Sequence, residues 1–290
     1  MAMIAYGQNY EDVLLNRLFP PDYLGFYVDI GANDPMNNSV TYHFYQRGRS
    51  GINIEPCSAA YERLVAERPR DINLNLAVSD REDVLLFCEL PLKTGLSTFN
   101  SELAARYRAA GETFVEKRIS TTTLRAVCEE HVRGPIDFMK IDVEGHEYQA
   151  LLGMDWKRWR PRVLIIEAGW HPERWDALLA HASYLRGVLR DNCNHFYVRE
   201  EDRELLPLLQ LPPNVTDNYI PYYLHCAAER DREWEAMGPV ITGIARALNR
   251  LKLQFPGMVT FAKSALEKTG LIARTRPNGG RCGGRSRGPS

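Results

Sequence analysis

The alternation of apolar and polar positions changes period repeatedly along this chain. Tyr10, Val13, Leu14 and Leu18 fall on one helical face, and Pro20-Pro21 stops that helix because proline lacks the amide donor a further turn needs. Gly25-Phe-Tyr-Val-Asp-Ile-Gly follows as a buried strand ending in a turn. Gly51-Ile-Asn-Ile-Glu-Pro reads as a second strand and Asp71-Ile-Asn-Leu-Asn-Leu-Ala-Val as a third. Between those two, Ala59 to Arg68 has helical spacing that turns Tyr61, Leu64 and Val65 inward. Strands and helices alternating at this pitch predict a parallel sheet covered by helices.

After an irregular middle the rhythm resumes. Val84 to Leu90 is expected to add a strand, Gly95 to Gly111 a loop and helix with its tip at Ala109-Ala-Gly-Glu, and Phe114 to Ile119 another strand. Thr121-Thr-Thr-Leu can cap a helix that reaches His131. Ile136-Asp-Phe-Met-Lys-Ile-Asp-Val and Val163-Leu-Ile-Ile-Glu-Ala are two more strands, with a helix from Glu147 to Leu152 between them. Tyr184 to Leu189 and His195 to Arg199 come last, separated by Arg190-Asp-Asn-Cys-Asn, which suits a hairpin turn. The expected fold is α/β, a mostly parallel seven-stranded sheet with one antiparallel strand and helices on both faces.

The rhythm stops at about Asp217, so residues 1–220 are read as one domain. Ile241, Ile244, Ala245, Leu248 and Leu251 then stripe one face of a helix within an extension over residues 221–270. That face is expected to dock on the domain or on a second copy of the chain, which would make a homo-oligomer, in preference to the alternative of lying on a membrane surface. Residues 271–290 carry Arg274, Arg276, Arg281, Arg285 and Arg287, no acid and little apolar anchor, and are expected to be disordered.

Composition narrows the class. The 290 residues are 44% apolar and 25% charged, ordinary for a globular protein and unlike a disordered, collagenous or disulfide-scaffold chain. The net charge of −1 hides an uneven distribution, because removing the five tail arginines leaves residues 1–270 at −6. An acidic body disfavours a nucleic-acid backbone. Cys57, Cys88, Cys128, Cys193, Cys226 and Cys282 form no C-x-x-C pair, so neither a zinc site nor a redox dithiol is expected. No apolar run approaches the ~20 residues of a transmembrane span, and no signal segment opens the chain. The expected compartment is the cytoplasm.

Chemistry concentrates where the strands end, since ligands of open α/β sheets bind beyond the carboxyl ends of the strands. The first strand ends Asp29-Ile-Gly31-Ala32-Asn33-Asp34-Pro35, where glycine admits close approach and asparagine tolerates a left-handed turn. The G-x-G-x-x-G turn is absent, so a pyrophosphate would lack its cradle. Asp29 and Asp34 suit instead a ligand with positive charge, such as the ammonium and sulfonium of S-adenosylmethionine. Glu55, ending the second strand, can accept both ribose hydroxyls of an adenosine, or is simply a solvated strand-end carboxylate. Ala77-Val78-Ser79-Asp80 can reach an adenine edge.

The fourth strand carries Lys140-Ile-Asp142-Val-Glu144-Gly145-His146. A period of two puts Lys140, Asp142 and Glu144 on one side, with Ile141 and Val143 opposite. Charges at the end of a buried strand must be paired or face a cleft. The choice lies between a Lys140 ion pair bracing the sheet and a functional site. Glu167, ending the fifth strand, points another carboxylate at the same edge, and His146 and His171 are candidate bases. His146 stands near a helix start, whose positive dipole end would keep it neutral. Asp142, Glu144 and Glu167 together suit a hard divalent ion, but their spacing is not diagnostic and no metal site is assigned.

With these residues in hand, the chain resembles the FkbM family of S-adenosylmethionine-dependent methyltransferases. The carrying segments are Val28-Asp-Ile-Gly-Ala-Asn-Asp-Pro, Asn38-Ser39-Val-Thr, Gly51-Ile-Asn-Ile-Glu55-Pro56, Asn75-Leu-Ala-Val-Ser and Ile136-Asp-Phe-Met-Lys-Ile-Asp-Val-Glu-Gly. Arg160-Pro-Arg-Val-Leu-Ile-Ile-Glu-Ala, Asn194-His-Phe-Tyr-Val and the opening Gly7-Gln-Asn-Tyr-Glu-Asp match too, so the resemblance covers roughly residues 7–220. It implies a class I, Rossmann-like methyltransferase fold, with Asp29, Gly31 and Asn33 along the methionine part of the donor. Glu55 would hold the ribose and Ala77-Val78 would flank adenine. Ala32, Asp34, Ser39 and Pro56 complete the donor set, and Asp142 would face the reacting methyl. Asp142 is then the first candidate to orient the acceptor or take its proton, followed by His146, Glu144 and Glu167, with Lys140 beside them.

Family members mostly methylate hydroxyls, often on sugars, so the acceptor is expected to be a saccharide or glycosylated small molecule. Arg190-Asp-Asn-Cys-Asn stands where the family commonly has an aromatic or glycine-rich segment. Two other classes compete. An NAD-dependent nucleotide-sugar oxidoreductase or epimerase would need the missing glycine-rich turn. A non-catalytic assembly module would keep the pocket without turnover.

Overall fold

Runs of branched and aromatic residues form the strands, and the loops between them carry the polar and glycine positions. The architecture is that of a computed structural model that describes residues 2–19, 25–190, 193–235 and 246. In chain order the elements begin β1 (Met3–Ala5), α1 (Glu11–Leu18), β2 (Phe26–Ile30), α2 (Tyr42–Gln46), β3 (Ser50–Ile54), α3 (Ser58–Glu67), β4 (Ile72–Leu74) and β5 (Ala77–Ser79). They continue with β6 (Asp83–Glu89), α4 (Ser101–Ala109), β7 (Val115–Thr123), α5 (Leu124–His131), β8 (Phe138–Ile141) and α6 (Glu147–Leu152). Then come β9 (Val163–Glu167), α7 (Glu173–His181), β10 (Tyr184–Arg190) and β11 (Asn194–Arg199). One compact unit runs Met1–Tyr219; beyond it the helix α8 (Tyr222–Glu235) is described by itself. The Pro20-Pro21 stop, the turn at 191–192, the striped helix and the arginine tail lie outside the described residues.

The main sheet has the order β10-β11-β9-β8-β2-β3-β4. β9, β8, β2, β3 and β4 pair in parallel, whereas β11 runs antiparallel to both β9 and β10. The sheet is therefore mixed. Successive residues point to opposite faces, and two apolar clusters result. Tyr27, Phe138, Val163, Ile165, Phe196 and Val198 pack with Leu14, Leu15 and Leu18 of α1 and Phe44 of α2. Val28, Ile30, Ile52, Met139, Ile141, Leu164 and Ile166 pack on the other side with residues of α5, α6 and α7, including Val127, Leu151, Trp175 and Leu179. Each of these larger apolar side chains stabilises the fold by about 1.5–3 kcal/mol on burial.

Three local expectations are corrected. The strand read over Asp71 to Val78 is two strands: β4 stops at Leu74, while β5 joins β7 and β6 in a separate three-stranded sheet. The break is at Asn75, whose amide donates to the carbonyls of Glu55 and Pro56 at 2.8 and 3.1 Å and draws the chain across the end of β3. In α3, Ala60 and Leu64 are buried and Val65 is 44% exposed, so the inward face is turned from that expected. Glu144 does not extend the side of β8 that carries Lys140. The strand ends at Ile141, and Glu144 and Gly145 both have left-handed φ, 51° and 90°, which swings the loop away.

Candidate functional site

The sheet adds β3 and β4 on one side of β2 and β8 and β9 on the other. β2 and β8 therefore flank the topological switch point, where open α/β sheets leave a crevice at the strand ends. Gly31 follows β2 with φ +77°, and a Cβ there would lie 1.8 Å from the carbonyl oxygen of Asp142. Any side chain would force the two loops apart. The amides of Gly31 and Ala32 both donate to the carbonyl of Ile54 at the end of β3, at 3.0 and 3.2 Å. Asn33, with φ 49°, donates its amide to Oε2 of Glu55 at 2.8 Å, and the Cys57 amide donates to Oε1 at 2.8 Å. Glu55 is thus a buried clamp across two strand-end loops, with its pKa raised by burial and opposed by those amides. The Cys57 thiol also bonds to this carboxylate, which leaves one of its four lone pairs for a hydroxyl donor.

The other donor candidates separate by depth. Asp34 accepts the amides of Met36 and Asn37 at 3.0 and 2.7 Å and pairs with Arg63 at 3.0 Å, so it builds its turn and a surface ion pair. Ser39 is buried, accepting from the Tyr42 amide at 3.2 Å and from Arg68 at 3.3 Å. Asp29 is 1% exposed. Pro56 is half-buried beside the clamp, and Ala77 and Val78 are buried in the second sheet.

Beyond β8 and β9 the site is acidic. Asp142, Glu144 and Glu167 each place one carboxylate oxygen within 4.8 Å of the others. Two ionised carboxylates at that separation repel by about 3 kcal/mol at an effective dielectric of ~20. Lys140 relieves part of this, with Nζ 3.1 Å from Oδ2 of Asp142 and 3.8 Å from Oδ1 of Asp29. Burial disfavours the Lys140 ammonium, but Asp142 and Asp29 outweigh it and hold its pKa above the ordinary value. Burial, then Asp142 and Glu147, push Glu144 up to about 8. Burial, then Asp142, Glu144 and Glu147, push Glu167 up to about 9. Burial and the crowding of acids favour the protonated form of these glutamates, which can then donate a hydrogen bond, while Asp142, a third exposed, is open to a ligand. Such an all-oxygen set has the chemistry to hold a hard divalent ion. Glu147 fixes the loop by accepting the amides of Val143 and Gly145, both at 3.0 Å. The ion pair that would brace the sheet and the acidic cluster are one structure.

The two histidines fall elsewhere. His146 is buried, its Nε2 3.0 Å from Oγ of Ser79 and its ring 5.3 Å from that of Phe99. Its pKa is pushed down to about 4 by burial, so it is neutral, though not through the short helix that follows it. His171 is exposed and pairs with Glu173 at 3.0 Å, outside the cluster. The segment before and within α4 crosses the strand ends, an arrangement the periodicity did not reveal. Thr94 donates to Oδ1 of Asn33 at 2.7 Å, Thr98 donates to the Glu144 carbonyl at 2.6 Å, and the Asn100 amide reaches the Gly145 carbonyl at 3.4 Å. Asn100 also caps α4 through the amides of Glu102 and Leu103. From α4, Arg106 lies over the Trp170 ring at 4.5 Å, and the Tyr107 hydroxyl is pushed up to about 12 by burial and then by Glu144 and Glu167. Only the cap, Asn100 ahead of Glu102, has a local signal.

A family model described as the methyltransferase FkbM domain matches residues 29–197, more than half of the chain and the whole stretch from the Gly31 turn to β11. No curated protein matches the sequence.

Proposed function

The chain belongs to the family of FkbM methyltransferase-domain proteins, and from that premise we propose that it is an S-adenosylmethionine-dependent O-methyltransferase acting on a hydroxyl of a saccharide or glycosylated small molecule. The observation that carries this reading is the abutment of two unlike half-sites: the Gly31–Glu55 clamp presses directly on the backbone of Asp142. The clamp fits an adenosyl donor and does not fit a dinucleotide, because Asn33, Asp34 and Pro35 occupy the turn where a pyrophosphate needs glycines. Methyltransferase domain, extension and tail are assigned to residues 1–220, 221–270 and 271–290, in the cytoplasm.

Gly31, Ala32 and Asn33 would hold the methionine part, Glu55 the ribose, and Ala77 and Val78 the adenine. When bound, S-adenosylmethionine supplies a methyl group activated by a positively charged sulfur. Asp142 orients the acceptor hydroxyl and takes its proton, which a poor acid surrenders only to a base within hydrogen-bond reach. Lys140 keeps the Asp142 carboxylate aimed. Glu144 and Glu167, in their protonated form, donate hydrogen bonds to neighbouring acceptor oxygens. Fixing donor and acceptor in line removes much of the entropic barrier.

The test is incubation with methyl-labelled donor and host glycan and metabolite fractions, followed by mass spectrometry. The expected product carries the label on a saccharide oxygen. Label on nitrogen alone, or in no fraction, overturns the reading.

A further inference from the structure

Asp29 lies inside the sheet, in register with Lys140 on β8 and Asn53 on β3. Its Oδ2 accepts the Thr41 hydroxyl at 2.8 Å. Its Oδ1 has no hydrogen bond among the described residues and faces Nζ of Lys140 at 3.8 Å. Chemistry fixes the direction of the Thr41 bond. Thr41 Oγ1 receives an N–H from Arg68 Nη1 at 2.9 Å, since a guanidinium can only donate, and its hydroxyl proton goes to Asp29 Oδ2 at 2.8 Å, nearer than Ser39 Oγ at 3.3 Å. Arg68 is itself fully buried, held by Asp71 at 2.8 Å and by the Tyr27 hydroxyl at 2.7 Å. Lys140 then reaches Oδ2 of Asp142 at 3.1 Å. Charge alternates along this line of contacts, from Asp71 through Arg68, Thr41, Asp29 and Lys140 to Asp142.

A carboxylate this deep, with one oxygen unbonded, is costly unless a neighbouring charge needs it. Both Asp29 oxygens already face groups inside the sheet, the Thr41 hydroxyl and the Lys140 ammonium. We infer that Asp29 is a positioning residue that never touches the donor: Thr41 and Arg68 hold its charge inside the sheet, and that charge balances Lys140 so that Asp142 faces the donor sulfonium uncancelled. The inference rests on the donor reading above.

Titration with S-adenosylmethionine and with S-adenosylhomocysteine tests it, because the two share the amino-acid, ribose and adenine groups and differ in the charge on sulfur. Asp29→Asn keeps an oxygen to accept from Thr41 but removes one of the acids that share Lys140, which leaves more of its charge on Asp142. It should weaken S-adenosylmethionine about tenfold and S-adenosylhomocysteine less than about twofold, as expected for one lost charge acting at a distance. Thr41→Val should shift the ratio in the same direction, and Thr41→Ser should restore it. Tyr27→Phe removes a hydroxyl from the far end of the same buried network and should lower Tm while leaving the ratio alone. Equal weakening of both ligands in Asp29→Asn means direct contact and overturns the inference. So does an unchanged ratio, or a Tyr27→Phe shift as large as that of Thr41→Val. If Asp29→Asn does not fold, the Thr41 pair decides. Wild-type protein that binds neither ligand overturns the donor reading itself, an outcome distinct from a failure confined to the variants.

Discussion

The two halves of the site solve opposite problems. On the β2 and β3 side, backbone amides meet carbonyl and carboxylate oxygens almost one for one, with Glu55 taking two amides and Ile54 two more. On the β8 and β9 side, three carboxylates crowd within 4.8 Å, one oxygen of Glu167 has no hydrogen bond among the described residues, and burial with mutual repulsion raises the pKa of two of the acids. The first half is complete without a ligand; the second is left under electrostatic tension that a ligand can relieve. Preorganised binding on one side and unspent polarity on the other is what a reaction between a fixed donor and a polar acceptor requires.

The contrast breaks most visibly at Asp142. Asp142→Ala should lower methyl transfer about a thousandfold, the loss typical of a catalytic charge, while S-adenosylhomocysteine affinity stays within about threefold. Comparable loss of both would mean the halves are not separable. Gly31→Ala strikes the seam between them. Its Cβ meets the Asp142 carbonyl at 1.8 Å with φ +77°, so unfolding free energy should fall by about 3 kcal/mol or more, measured by urea denaturation. A fall under about 1 kcal/mol contradicts the close seam.

Glu55→Gln tests the satisfied half. A glutamine offers one acceptor oxygen where two amides need partners, so about 1–3 kcal/mol of stability should be lost, with about tenfold weaker donor binding. The smallest effect belongs to the acidic half. Glu144 and Glu167 have pKa values raised to about 8 and about 9, above the ordinary 4.5, so folding takes up protons. Their contribution to stability is full below about pH 4.5 and is lost as pH rises through about 8 and about 9. Tm should therefore fall from about pH 6 to about pH 9, and Glu167→Gln should flatten that slope. Equal slopes in the two proteins would show that the crowding is not felt.

Much of this contrast is written locally. A glycine and an asparagine after a buried strand, Glu55 after the next, and Lys140 and Asp142 two apart are all visible because strands alternate and ligands sit at strand ends. What escapes is set by pairing between distant segments. Nothing in Asp71 to Val78 announces that Asn75 bonds back to Glu55 and Pro56 and sends Ala77–Ser79 to another sheet. Thr41 and Arg68 look like ordinary polar residues until the fold buries them against Asp29. His146 is neutral as expected, but burial against Ser79 and Phe99 is the cause, and only packing shows it. The crossing of Thr94, Thr98 and Asn100 over the strand ends likewise depends on where the loops of β2 and β8 lie.

Isothermal titration of the purified chain with S-adenosylhomocysteine, run beside NAD and repeated on Glu55→Gln, tests the central claim most directly. One molecule should bind per chain, with clear weakening in Glu55→Gln and no heat from NAD. Absence of S-adenosylhomocysteine binding, or NAD binding that depends on Glu55, would contradict that claim.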